Sequence, residues 1–359
     1  MSRSFARAML TSCVVLGILS SVAPSAASEA CSNPVEVQGF KTCANIAKAE
    51  AEGAVVLYSP DVEQGTVKVL EAFGRAFPKI NTNYVRLQTG ALYAKIMAER
   101  QAKSYLADVV SLSDFGLSLD FQKRNGYASY ISPQMKAYKA EYKSEPEGFF
   151  TWGAIILSGV VYNSKTMTVD EAPKDWSDLT DPKWAGVMSV KSSNSGLQHV
   201  MWYETSGLLG PEYWTKMGAQ KLRPFDSYVQ QFDRVVNGDD KLAVTAQYSG
   251  YLENLQKGTP LGFVFPASGS PAGPEVWGIV EEAPHPEAAR LLLDWFLSPI
   301  GQKAMEDALY MQSPRSDVTP PPGGKPLSDI KILIPKSWPE FLATRKEFVR
   351  LWQTISGLR

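Results

Sequence analysis

What constrains this chain most is an alternation that begins at residue 54. Ala54 to Ser59 (AVVLYS) is a nearly continuous apolar run, which suits a strand covered on both faces of a parallel sheet. Val69, Leu70, Phe73 and Phe77 then fall at helical spacing over 66–77, and Pro78 ends that helix. The pattern predicts a second strand over Thr82–Leu87, a helix over 91–102 carrying Leu92, Ile96 and Met97 inward, and a third strand over Leu106–Leu112. Strand and helix in alternation imply a parallel α/β sheet with right-handed crossovers. Ligands of such sheets sit beyond the carboxyl ends of the strands, where helix starts offer free N–H groups. Ser59, Thr89, Gly90, Ser113 and Asp114 lie at those ends and are candidate ligand-binding residues. Asp114 also suits the cap of the following helix.

The same logic returns further along. Gly153–Tyr162 (GAIILSGVVY) reads as a strand. In residues 173–190 (PKDWSDLTDPKWAGVMSV), Asp175 is placed to cap a short helix, Trp176 and Trp184 supply core bulk, and Gly186 permits the turn into the next strand. Lys191-Ser192-Ser193-Asn194-Ser195-Gly196 leads into a helix containing Leu197, Val200 and Met201. Small polar residues at a helix start either cap it or cradle an anion; Ser195 and Gly196 join the ligand-binding candidates on that ground. The strand Leu242–Gln247 delivers Tyr248, a cleft candidate that can stack on or hydrogen-bond to an organic ligand, or pack at a rim. Tyr251 reads as packing. Arg86, Lys191 and Arg223 are the cations close in sequence to these loops. Residues 261–302 read as strand, glycine-proline loop, strand, and a helix that stops at Ser298-Pro299-x-Gly301-Gln302. Pro320–Pro326 is a linker, and a helix over Trp338–Ile355 packs on the outside through Phe341, Phe348, Leu351 and Trp352.

The N-terminus carries an address. Arg3 and Arg7, the apolar run 8–22 and Ser25-Ala26-Ala27 form the three regions of a cleaved secretory signal over 1–27. About 15 apolar residues are fewer than the roughly 20 that span a bilayer, so release into the periplasm is expected. Cys13 sits ahead of the hydrophobic run rather than behind it, unlike a lipoprotein box. Cleavage leaves Cys31 and Cys43, an even pair in an oxidising compartment, for which one disulfide is expected in an arm over 28–49. Closing so short a loop contributes about 2–3 kcal/mol. The mature chain, of about 330 residues, exceeds what one core usually organises. Its formal charge moves only from −1 to −3, which gives no warrant for nucleic-acid binding.

Catalysis finds no support. The two histidines, His199 and His285, lie in no metal-spacing or nucleophile-base motif, and there is no nucleophile elbow, P-loop or dinucleotide fingerprint. The reading is therefore of a non-enzyme without cofactor or resident metal.

Several passages resemble one family. The "LYS" at 57–59, "F-x-x-x-F-P-x-I" at 73–80, "TGALYAKIMAER" at 89–100 and "ADVV" at 107–110 resemble the opening lobe of iron(III), thiamine and organophosphonate-type binding proteins. Residues 153–165 resemble the family's crossover strand with its "YN-[ST]-K" end. Residues 173–190 resemble its "P-x-x-W-x-DL-x-DPKW-x-G" passage, and 261–302 its late segment with "SP-x-GQ". These are periplasmic solute-binding proteins of bacterial ABC importers. The resemblance implies a two-lobed type II α/β fold, each lobe a mainly parallel sheet flanked by helices, closing by a hinge. Lobe 1 is expected over 50–150 plus 270–315, and lobe 2 over 151–262 plus 316–359 with the C-terminal helix. A monomer is expected, with a small-molecule ligand and an ABC permease and its ATPase as partners. A sensing role beside a membrane receptor is the alternative within the same fold. In the iron-binding branch two adjacent tyrosines are phenolate ligands; here Ser249 and Gly250 separate Tyr248 from Tyr251, and no histidine lies around 58–63. The expected ligand is a small organic anion (phosphate ester, phosphonate or carboxylate), ahead of ferric iron with Tyr248 as metal ligand, and of a cation such as thiamine or a polyamine facing Asp114.

Overall fold

The computed structural model describes residues 31–194 and 196–356; the expected signal segment, Cys13 and Ser195 lie outside the described residues. The N-terminal arm is a hairpin of β1 (Val35–Val37) and β2 (Phe40–Thr42). Its two-residue turn, Gln38-Gly39, has φ of 48° and 81°, the left-handed pair such a tight turn requires. The Cys31–Cys43 disulfide is present, with Cα atoms 5.9 Å apart.

A short helix not expected from the sequence, α1 (Ile46–Glu52), precedes the alternation, which then unfolds as expected: β3 (Ala54–Ser59), α2 (Glu63–Ala76), β4 (Asn81–Arg86), α3 (Thr89–Ala102), β5 (Val109–Leu112) and α4 (Phe115–Lys123). The thirteen-residue β6 (Thr151–Asn163) is buried throughout. Beyond it lie β7 (Met188–Lys191), α5 (Leu197–Leu209), α6 (Tyr213–Ala219), β8 (Arg223–Phe225), α7 (Tyr228–Asn237), β9 (Leu242–Gln247), α8 (Tyr248–Gln256) and β10 (Leu261–Val264). The chain closes with β11 (Ser270–Ile279), α9 (Pro286–Leu297), α10 (Pro299–Leu309), β12 (Ile332–Leu333), α11 (Trp338–Ala343) and α12 (Arg345–Ile355).

The main sheet has ten strands. Its path runs β4-β3-β5-β11-β6-β9-β7-β8, with β10 beside β6 and β12 beside β11. Two parallel groups, β4-β3-β5 and β9-β7-β8, are joined by β6 and β11, which run antiparallel to each other and to the strands beside them on that path. This is the two-lobed plan, with long strands crossing between lobes. Helices pack on the sheet through aromatic cores: Phe73, Trp295 and Phe77 beside the first strand group, Trp176, Trp214 and Trp352 beside the second.

Three expectations need correction. The segment SPAGP is strand rather than loop. Pro274 pairs with Ile155 of β6, while β5 reaches only Val276–Ile279, so the proline sits where β11 has a neighbour on one side and no donor is needed on the other. Ser298-Pro299-x-Gly301-Gln302 does not stop the chain's helices but joins two. Ser298 Oγ accepts from Gly301 N at 3.3 Å as the cap of α10, Pro299 takes the first helical position, and a Cβ on Gly301 would lie 2.1 Å from Trp295 O. The C-terminal helix breaks at Thr344 into α11 and α12.

Those last helices touch both halves. Trp338 lies 4.0 Å, ring to ring, from Phe115, whereas Phe341 and Phe348 sandwich His199 of α5 at 4.0 and 4.6 Å. Burial lowers His199 to about 3, so it is a neutral core histidine that hydrogen-bonds Thr344 Oγ1 at 3.0 Å.

Candidate functional site

The carboxyl ends of the parallel strands from both halves meet at one cavity of about 630 Å³, a volume that suits a small organic molecule. Arg86 ends β4 and Lys191 ends β7, and both side chains line it. Neither forms an ion pair among the described residues. Arg86 donates Nε to Asp61 O at 2.8 Å, which fixes the guanidinium. Lys191 Nζ stands 4.4 Å over the Tyr228 ring. Burial, reinforced by the nearby positive charge of Arg86 and opposed by Asp226, pushes the Lys191 ammonium down to about 8.

Around these cations, four helices begin. The residue just before each of α2, α3, α5 and α8, namely Val62, Gln88, Gly196 and Gln247, lines the cavity, and none caps its helix with a side chain. First-turn N–H groups are left there for another acceptor. A fifth helix, α7, starts at the same cavity and is capped by its own Ser227 Oγ on Gln230 N.

The candidate residues fall into three groups. Thr89, Gly90, Ser113 and Gly196 line the cavity; Thr89 Oγ1 and Ser113 Oγ are bonded at 2.7 Å, and Gly90 faces open space. Ser59 and Asp114 stand behind it. Ser59 is buried and donates to Asp61 Oδ2 at 3.0 Å, so it positions Asp61. Asp114 caps α4 through Oδ1 at 3.0 Å to Gly116 N, while Oδ2 accepts Gly196 N at 3.1 Å and Arg345 Nη1 at 2.9 Å. One carboxylate thus ties both halves and α12 together. Gly196 belongs to this junction: its φ is 55°, and a Cβ there would lie 2.8 Å from Ser113 O. Tyr248 opens α8 but packs into Tyr251, Phe263 and Phe265, and its hydroxyl accepts Lys325 N at 3.2 Å; it is not among the residues lining the cavity. Arg223 also lies elsewhere, paired with Asp240 at 2.6 Å.

Sequence reasoning passed over Asp61 and Glu275, which both line the cavity floor. Asp61 follows β3 by two residues. Glu275 is a carboxyl within an otherwise apolar strand, at the point where the β11–β6 register shifts. A buried acid in a strand covered on both faces is itself a signal, since such a group is kept only where it has a use or a partner.

An interlobe cleft at strand ends, ringed by uncapped helix starts and holding two cations that form no salt bridge among the described residues, defines a class: a two-lobed type II binding protein built to enclose a solute. The chain belongs to the bacterial extracellular solute-binding proteins, whose family pattern matches residues 105–342. A relative from Haemophilus influenzae, described only as an uncharacterized protein, is 26% identical over 279 residues, covering 71% of this chain and 76% of its own. The fold is shared with iron-bound HitA from Pseudomonas aeruginosa, at 20% identity and a TM-score of 0.72, over 84% of this chain and 99% of that one. It is shared equally with AfuA from Actinobacillus pleuropneumoniae, seen with exogenous fructose-6-phosphate, at 20% identity and a TM-score of 0.72, over 86% and 99%.

Proposed function

We propose that this substrate-binding protein of an ABC importer captures a small organic anion, a phosphate ester, phosphonate or carboxylate, and delivers it to an inner-membrane permease from the periplasm. The observation that carries the reading is the pair Arg86 and Lys191, one from each half, facing a common cavity with no salt bridge to a carboxylate among the described residues, the carboxylates of Asp61 and Asp226 acting on them only through space. Cations in a partly desolvated cleft that lack a direct ion pair cost free energy unless a ligand answers them. Four helix starts add donors of the right polarity. The lobes proposed are 50–150 plus 270–315 and 151–262 plus 316–359, with binding biasing a hinge toward the closed form the permease reads. The ligand contacts proposed are Thr89, Gly90, Ser113, Ser195 and Gly196 beside the two cations.

A ferric cargo held by Tyr248 fits the geometry less well. Burial raises that phenol, away from the phenolate that hard Fe(III) needs, and the ring packs inside an aromatic cluster. The test is thermal unfolding of the mature protein against phosphate esters, phosphonates, carboxylates, polyamines, thiamine and ferric citrate. A ligand at about 100 times its dissociation constant adds roughly 2.7 kcal/mol. Stabilisation by an anionic class, lost in Arg86→Gln, is the expected result; stabilisation by ferric salts alone would overturn it.

A further inference from the structure

Resting on the anion reading just given, we propose that the Asp61–Glu275 pair is a second ligand subsite, so that the solute is bifunctional: an oxyanion at one end and a hydrogen-bond donor, hydroxyl or ammonium, close to the other. The pair lies on the floor of the same cavity as Arg86 and Lys191. Glu275 is 1% exposed; its Oε1 accepts Trp277 Nε1 at 3.1 Å, and its Oε2 receives no donor among the described residues. The group opposite is another acceptor, the carboxyl of Asp61, within hydrogen-bonding reach. Two facing carboxyls in a dry site share a proton, because both cannot ionise. Burial, with the Asp61 charge second, holds Glu275 well above the usual carboxylate range, so Glu275 keeps that proton. Asp61 therefore presents the pair's net negative charge. One of its oxygens, Oδ2, is occupied by Ser59 Oγ. The shared proton joins the two carboxyls and Ser111 stands beside Glu275, but the Asp61 carboxylate keeps lone pairs that no donor among the described residues fills, and the cavity is the side from which one can arrive.

Asp61 also sets the spacing. Its backbone oxygen holds Arg86 Nε at 2.8 Å and accepts Tyr84 OH at 2.6 Å, so the anion subsite and the acceptor subsite are built on one residue. A ligand must carry its donor only a few bonds from its charged group to engage both. The apolar flank of the floor, Ile156, Leu309 and Met311, offers no competing donor. A buried acceptor left unpaired discriminates strongly against an analogue that lacks the donor.

Calorimetric titration of the mature protein with propyl phosphate, glycerol 1-phosphate and 3-aminopropyl phosphate separates the cases, since the chain lengths match and only the donor differs. The hydroxylated or the aminated ester is expected to bind at least about 10-fold tighter than propyl phosphate, and Asp61→Asn to remove most of that advantage, read as the ratio of each ester's affinity to that of propyl phosphate in the same variant. Preference for the amine identifies an ammonium, preference for the polyol a hydroxyl. Equal binding of all three esters to the unaltered protein sinks this inference alone, and needs no variant to fold. Equal weakening of all three by Asp61→Asn also sinks it. No binding by any of them, with no stabilisation by other anions, removes the anion reading and this subsite with it.

Discussion

The two walls of the cleft supply one cation each, by opposite means. On the first wall Arg86 is pinned through Nε to a backbone oxygen, and a guanidinium carries its charge at any pH a cell meets. On the second wall Lys191 has no hydrogen-bonded partner among the described residues, rests over Tyr228, and is pushed to about 8 by burial. The first wall is thus a fixed electrostatic anchor, and the second an adjustable one whose charge is itself strengthened by an arriving anion. A site with one permanent and one titratable cation holds its ligand hardest when the second wall is protonated.

Substitutions can break that asymmetry. The largest expected effect is Arg86→Gln: losing a charge-assisted bidentate contact costs about 2–3 kcal/mol, a fall of roughly 30- to 150-fold in anion affinity by calorimetry. Next is pH. Below about 8 Lys191 is charged in the free protein, and above it the proton must be taken up on binding, so anion affinity weakens as pH rises through about 8. Lys191→Met should bind about 10-fold more weakly at pH 7 and lose the pH step in that range; a variant that keeps the step would assign it to another group. Gly196→Ala, at the joint between the walls, should lower stability by about 1–2 kcal/mol in denaturant unfolding, since it meets both a positive φ and the Ser113 oxygen. The smallest is Tyr248→Phe, which takes one acceptor from Lys325 N; about 1 kcal/mol of stability and an unchanged affinity are expected, and a 10-fold loss of binding would bring the phenol back into the site.

How much of this was legible depended on whether the information was local. The apolar run 54–59 and the helical spacing at 69, 70, 73 and 77 report burial directly, so β3 and α2 were readable, and Leu242–Gln247 was placed to the residue. The strand character of Ser270–Pro274 was not, because Pro274 is tolerated there only through the absence of a neighbour on one side of β11 and Pro271 lies beside β12, both facts of long-range pairing. The site divides in the same way. Position after a strand located Thr89, Gly90, Ser113 and Gly196, since the carboxyl edge of the sheet is set by chain order. Direction was not encoded there: Ser59 turns to Asp61, and the Tyr248 ring turns into Phe263 and Phe265. Glu275 was visible as an acid inside an apolar strand, but its partner lies more than two hundred residues away.

Because Trp338 leans on Phe115 while Phe341, five residues before Arg345's neighbour Lys346, leans on His199, the final helices act as a splint glued to both sides of a joint. A splint of that kind senses motion it did not initiate. Any rotation of one half against the other must slide or peel an indole from a phenyl ring, so the part of the protein's tryptophan emission that is lost in Trp338→Phe should change when the ligand arrives.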